Sequence, residues 1–194
     1  MQTIKSAYKL EDSIKKSRFI GILFPCQSEV DIAKALQQCQ LAHPNASHIA
    51  FAYRIKTNNG FISRFNDAGE PNGTAGKPIF QYLEGNNLIN VLLTVIRYFG
   101  GVKLGAGGLT RAYGNTAKQV IGTAELLPYI ELIEQILTLD YKELPMLEYQ
   151  LKKLDGKIIN QNFTEQVQLT IELPKANLNA FLEVYSGYIH LASD

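Results

Sequence analysis

Arg97-Tyr98-Phe99-Gly100-Gly101-Val102-Lys103-Leu104-Gly105-Ala106-Gly107-Gly108-Leu109-Thr110-Arg111 gathers five glycines and three cations in one short stretch. Glycine reaches backbone angles closed to other residues and lets a ligand approach the main chain. A glycine-rich turn that opens a helix leaves amide N–H groups unpaired at the positive end of the helix dipole, a setting suited to phosphate or carboxylate. Gly100, Gly101, Gly105, Gly107 and Gly108 are the expected cradle, with Arg97, Lys103 and Arg111 adding charge around it. The spacing is not that of a P-loop, which ends in Gly-Lys-Ser/Thr, and it lacks the later glycine of a dinucleotide fingerprint. The competing reading is a tight strand-to-helix connection whose glycines serve packing alone.

A second glycine-bearing stretch, Asp67-Ala68-Gly69-Glu70-Pro71-Asn72-Gly73-Thr74-Ala75-Gly76, is small, polar and turn-forming. Asp67 and Glu70 are candidates for a carboxylate pair or a cation site, with Thr74 adding a hydroxyl. With no third acid or nearby histidine in the stretch, capping and Asx-turn bonds are the favoured use of both acids, and no metal is expected. His43 and His48 flank a turn, and Cys39 precedes His43 by four residues, so a thiol–imidazole pair is conceivable. Cys39 falls on an apolar helical face, however, where buried inert thiols are commoner, and Cys26 also sits in an apolar pattern. His190 stands alone. No catalytic motif is present, so no catalytic residue and no cofactor are assigned.

The elements that must carry these loops follow from periodicity. Strands are expected over 4–10 and 18–26, then a helix from Ser28, an N-cap candidate with Glu29 and Asp31 in its first turn. Asn59-Gly60 between two β-rich runs predicts a hairpin over 48–65. A short helix over 78–83, a nearly continuous apolar strand over 88–99 and a helix over 109–123 complete the first part. On that last helix Leu109, Ala112, Tyr113, Thr116 and Val120 share one face, and Arg111, Asn115 and Lys118 lie opposite. Beyond Leu126-Leu127-Pro128 the order becomes strand 129–139, helix 142–154, strands 157–161 and 163–173, helix 175–185 and strand 188–191. This is the ferredoxin-like split motif, so the fold class is α+β with domains at 1–126 and 127–194.

Charge divides along the same line. Residues 1–126 hold nine Lys and five Arg against eight acids, a net of +6, while residues 127–194 hold five Lys and no Arg against ten acids, a net of −5. A basic first domain points to nucleic acid or another anion, and Arg54, Arg64 and Lys118 extend the expected basic surface. The start of the chain lacks the layout of a signal peptide, and the most apolar window is too short to span a bilayer. A cytoplasmic protein without membrane association is therefore expected.

The two loops, together with Lys15-Lys16-Ser17-Arg18-Phe19-Ile20, His43-Pro44-Asn45-Ala46-Ser47-His48, Ala112-Tyr113-Gly114 and Asp155-Gly156-Lys157-Ile158-Ile159-Asn160, resemble the YigZ/IMPACT family over essentially the whole chain. Ala68 stands where members of that family often carry a second aspartate, which weakens a metal or acid–base cluster there. The resemblance implies a first domain of the ribosomal-protein-S5-domain-2-like fold, with an unusual left-handed crossover, and a ferredoxin-like second domain akin to domain V of elongation factor G. The eukaryotic branch of the family restrains a translation-control kinase by competing for its activator. The expected function is therefore a non-enzymatic regulator of translation, with RNA or the ribosome and its factors as partners. The alternatives are an enzyme acting on a small phosphorylated or carboxylated metabolite held by the glycine loop, and a protein-interaction module in which that loop is only architectural.

Overall fold

The computed structural model describes residues 1–185 and residue 187. The expected strand over 188–191 and His190 lie outside the described residues. The chain divides into two compact units, Met1–Tyr129 and Ile130–Asp194.

The first unit runs β1 (Gln2–Thr3), β2 (Tyr8–Ile14), β3 (Ser17–Pro25), α1 (Glu29–Ala42), β4 (His48–Thr57), β5 (Gly60–Asn66), α2 (Gly76–Gly85), β6 (Val91–Tyr98), α3 (Ala106–Thr123) and β7 (Leu127–Pro128). Five strands form one antiparallel sheet in the order β2-β3-β6-β4-β5. Two connections skip a strand: β3 reaches β4 through α1 across β6, and β5 reaches β6 through α2 across β4. Alternation then assigns the core. Phe19, Ala52, Leu93 and Val95 pack with Ile79, Tyr113 and Val120 of α2 and α3. Ile20, Tyr53, Leu92 and Ile96, one residue out of phase, pack on the opposite face, which α1 covers with Ile32 and Cys39. Central β6 is therefore buried on both faces, which explains its unbroken apolar run.

Ser28 caps α1 as expected, in a capping box with Asp31. Helix α3 begins at Ala106 rather than Leu109, because Gly107 and Gly108 adopt helical angles in its first turn. Strand β7 pairs with β1, Thr3 opposite Leu127, and the Tyr129 N–H bonds the Met1 carbonyl at 3.1 Å. These bonds hold residues 127–129 in the first unit, and the first strand of the second unit begins at Leu132.

The second unit runs β8 (Leu132–Leu139), α4 (Leu144–Lys153), β9 (Lys157–Phe163), β10 (Val167–Pro174) and α5 (Leu178–Tyr185). Strands β8 and β9, joined through α4, both pair antiparallel with β10 and not with each other, which makes a split β-α-β unit. Leu137, Leu169, Ile171 and Leu173 of the sheet meet Leu147, Leu151 and Phe181 of the helices in one core. Among the described residues no helix is long and apolar enough to cross a membrane.

Candidate functional site

The two glycine-bearing loops meet at the C-terminal end of β6, and a buried ion pair joins them. Arg97 shares a sheet face with Phe19, and the register sets it beside His48 of β4. Its side chain is 6% accessible, and Nη1 donates to Oε1 of Glu70 at 2.7 Å. Nη2 reaches Oγ of Ser17 at 3.4 Å, and the guanidinium lies 5.5 Å from the Phe19 ring centroid and 5.4 Å from that of Phe99. Oε1 of Glu70 also accepts the hydroxyl of fully buried Tyr113 at 2.8 Å. Burial, reinforced by the adjacent Glu70 charge, pushes the Tyr113 hydroxyl far up, so it serves as a fixed donor. Nδ1 of His48 lies 2.8 Å from the Ala68 carbonyl and must be the donor, which leaves Nε2 facing Glu70 at 3.9 Å.

The loop over residues 67–75 is held from within. Asp67 accepts the amides of Gly73 at 2.9 Å, Ala75 at 2.9 Å and Gly76 at 2.8 Å, which caps the start of α2. Burial pushes its carboxyl up, but the three amides outweigh that effect and hold it below its ordinary value. Thr74 donates to the Pro71 carbonyl at 2.6 Å. Asp67 and Glu70 thus do not pair: one is a cap, and the other is the partner of Arg97.

The loop over residues 99–105 is held at its base and by Leu104, which packs on the core. Ser47 and Ser17 accept the amides of Phe99 and Gly100 at 3.0 and 3.2 Å. A Cβ on Gly100 would stand 1.9 Å from the Lys16 carbonyl oxygen, so this glycine is demanded by packing. Beyond it Gly101, Val102 and Lys103 are exposed, and α3 starts from Gly105, at φ 71°, with no side-chain cap. The first amide partnered at this end is that of Leu109, to the Gly105 carbonyl at 2.9 Å. Those of Ala106, Gly107 and Gly108 have no partner among the described residues. Lys103 and Arg111 are exposed beside them, as is Phe99 at 48%.

Between the loops lies a cavity of about 330 Å³. Glu70, Arg97 and His48 give it polar groups, and Pro71, Phe99, Leu104 and Leu109 give it apolar walls. Lys103, Gly105 and Ala106 also line it.

Several expected site residues lie elsewhere. Arg97 is buried and neutralised rather than presented to solvent. Arg54 pairs across from Val91, at the far end of β6 and about 20 Å away by strand rise, where it donates to the Leu88 carbonyl. Arg64 pairs with Tyr53 and so belongs to the other face of the sheet. Lys118 is exposed on α3, about 10 Å beyond Arg111. Of the expected basic residues, Lys103, Arg111 and Lys118 are exposed on the loop and α3, whereas Arg97 is buried and Arg54 and Arg64 lie elsewhere on the sheet. His43 bonds the Tyr98 hydroxyl at 2.8 Å on the α1 side, so it meets neither His48 nor Cys39. Cys39 contacts Thr94, and burial pushes its thiol up. Cys26, buried and near Asp31, is raised to about 12.

Residue-by-residue reading missed Ser17, His48 and Tyr113 as parts of the site. All three fall inside the motif stretches Lys15–Ile20, His43–His48 and Ala112–Gly114, and that clustering is the signal that marks them.

Comparison with known proteins agrees with the motifs. The Impact N-terminal domain matches residues 15–121, and a domain of unknown function (DUF1949) matches residues 137–183. An IMPACT family member from Haemophilus influenzae is 35% identical over 178 residues, covering 91% of this chain and 86% of that protein. IMPACT family member YigZ of Escherichia coli is 37% identical over 172 residues, covering 88% and 84% respectively. A crystal structure of a hypothetical protein superposes with a TM-score of 0.71 at 31% identity, covering 100% of this chain and 97% of that one. With both domain models matched in order and relatives aligned along most of their length, the chain belongs to the IMPACT family.

Proposed function

We propose that this protein is a non-catalytic regulator of translation that binds RNA, with the glycine loop and the α3 N-terminus taking its phosphates. One observation carries the reading: an exposed helix N-terminus with free amides is flanked by cations instead of an acid. Lys103 and Arg111 near the positive end of a helix dipole are unfavourable on their own, and a bound phosphate reverses that sign. Exposed Phe99 adds a stacking surface of the kind that serves single strands. The basic balance of residues 1–126 supports the same partner, and membership of the IMPACT family supports a role in translation. A metabolite phosphate held deep in the cavity is disfavoured, since Glu70 cancels the charge of Arg97 there.

The test is fluorescence anisotropy with single-stranded RNA octamers across a salt series. Affinity should fall as salt rises, because phosphate contacts release counterions. The double variant Lys103→Ala/Arg111→Ala should bind roughly tenfold more weakly, with a salt slope shallower by about 1.4 for two lost contacts. Affinity that ignores salt, or a double variant that binds like the parent, sinks the proposal.

A further inference from the structure

The cavity beside the loop sorts charge in a way that a phosphate site does not need. Its exposed cation, Lys103, stands on the side of the α3 amides, and Arg111 lies beside Gly107 on the same helix turn. Inside, Arg97 is consumed by Glu70, so the two charges cancel. The Glu70 side chain is 4% accessible, and its Oε1 already accepts from Arg97 and Tyr113. Oε2 accepts nothing among the described residues, although Glu70 lines the cavity. Nε2 of His48 faces the same carboxylate at 3.9 Å, while Nδ1 donates to the Ala68 carbonyl. Nε of Arg97 is buried without a partner. The remaining lining is apolar: Pro71, Phe99, Leu104 and Leu109.

A ligand that fits this arrangement is negative at one end and flat, apolar and rich in N–H donors at the other. From this we infer that the cavity admits one unstacked nucleobase bearing an exocyclic amino group, while its phosphate rests on the α3 N-terminus. Oε2 of Glu70 accepts from the amino group, and the apolar walls take the ring faces. A volume of about 330 Å³ is enough for a single base with its sugar and too small for stacked neighbours. The inference rests on the reading that the glycine loop takes RNA phosphates, and it adds a base-recognition pocket to that surface.

The experiment keeps the two layers separate. Labelled octamers of A, C, G and U are compared with an octamer of abasic spacers that retains every phosphate, using the parent protein and Leu104→Trp, which fills the cavity from its loop. Thermal melts check that the variant is folded. The abasic octamer should bind at least roughly tenfold more weakly than the A, C and G octamers at equal salt, with the same salt slope, since the phosphate contacts are common to all. Leu104→Trp should bring those octamers down to the affinity that the abasic octamer shows for the same variant. U, which lacks an exocyclic amino group, should bind more weakly than the other three. Equal affinity for abasic and base-bearing octamers overturns the pocket while leaving phosphate binding intact. A base effect that survives Leu104→Trp, or a U octamer as tight as the rest, also overturns it. Loss of salt dependence with every octamer removes the phosphate reading itself.

Discussion

Two loops in the first unit open onto helices, and they treat the helix end in opposite ways. At α2 the chain supplies its own anion: Asp67 accepts the amides of Gly73, Ala75 and Gly76. At α3 the corresponding amides face solvent, the cap position is Gly105, and the nearest charges are positive. An acid near a helix N-terminus stabilises it and a cation there does the reverse. The first loop thus caps its own helix, whereas the second leaves the amides of residues 106–108 without a partner among the described residues. Glycine content alone does not separate a structural loop from a binding loop. The sign of the nearest side chain is what differs between these two.

The Glu70–Arg97 pair ties the two loops together, and removing one partner is the severest test of that tie. Arg97→Ala should cost about 3–5 kcal/mol, because Glu70 is left charged and buried without its counter-ion. Urea unfolding of the variant reads this directly. The double variant Arg97→Met/Glu70→Leu should recover most of the loss, as apolar replacements of buried pairs commonly do. A single variant within about 1 kcal/mol of the parent would mean the pair is solvated and the loops are held independently.

Asp67→Ala comes next. It leaves three amides uncapped, so a loss of about 2 kcal/mol is expected, with Asp67→Asn smaller because Oδ1 is kept for Ala75 and Gly76. The pH dependence follows from the lowered carboxyl. A group whose folded pKa lies below its unfolded one stabilises above the unfolded value, 3.8, and loses that contribution as pH falls through the folded one. The gap between parent and Asp67→Asn should therefore be constant near neutrality and narrow only below about pH 4. A gap that changes between pH 5 and 8 would assign the effect to another group.

Much of this arrangement could be read before any coordinates. The hairpin over 48–66, the α1 cap at Ser28 and the buried face of α3 all rest on periodicity or local turn chemistry, and these act over a few residues. What escaped was non-local. Strands β1 and β7 are two residues each, too short for any period, and exist because 124 positions apart in sequence they pair. Arg97 reads as a surface cation because its partner Glu70 sits 27 residues upstream, in a loop whose path no pattern specifies. Arg54 and Arg64 read as one surface with Lys103 because composition carries no register, and the register sends them to the far end and the other face. Ser17, His48 and Tyr113 fall inside the motif stretches that carry the family resemblance, but those stretches assign them no role, because the contacts that give them one are also non-local.

The mildest change asks what the glycines of α3 are for. Gly100 is fixed by the Lys16 backbone, but a Cβ on Gly107 would meet only Nη1 of Arg111, at 3.9 Å. Gly107→Ala should therefore raise stability by about 0.5–1 kcal/mol, as alanine for glycine does in a helix without a clash. If packing were the whole reason for glycine here, binding would be unchanged and the substitution would be purely beneficial. If a phosphate must approach the amides of residues 106–108, the added methyl stands in its way, and RNA affinity should fall while the melting temperature rises. Opposite signs in those two measurements mark a residue kept for its ligand at the expense of its helix, and the same substitution at Gly100 cannot produce them, because there the backbone clash lowers both.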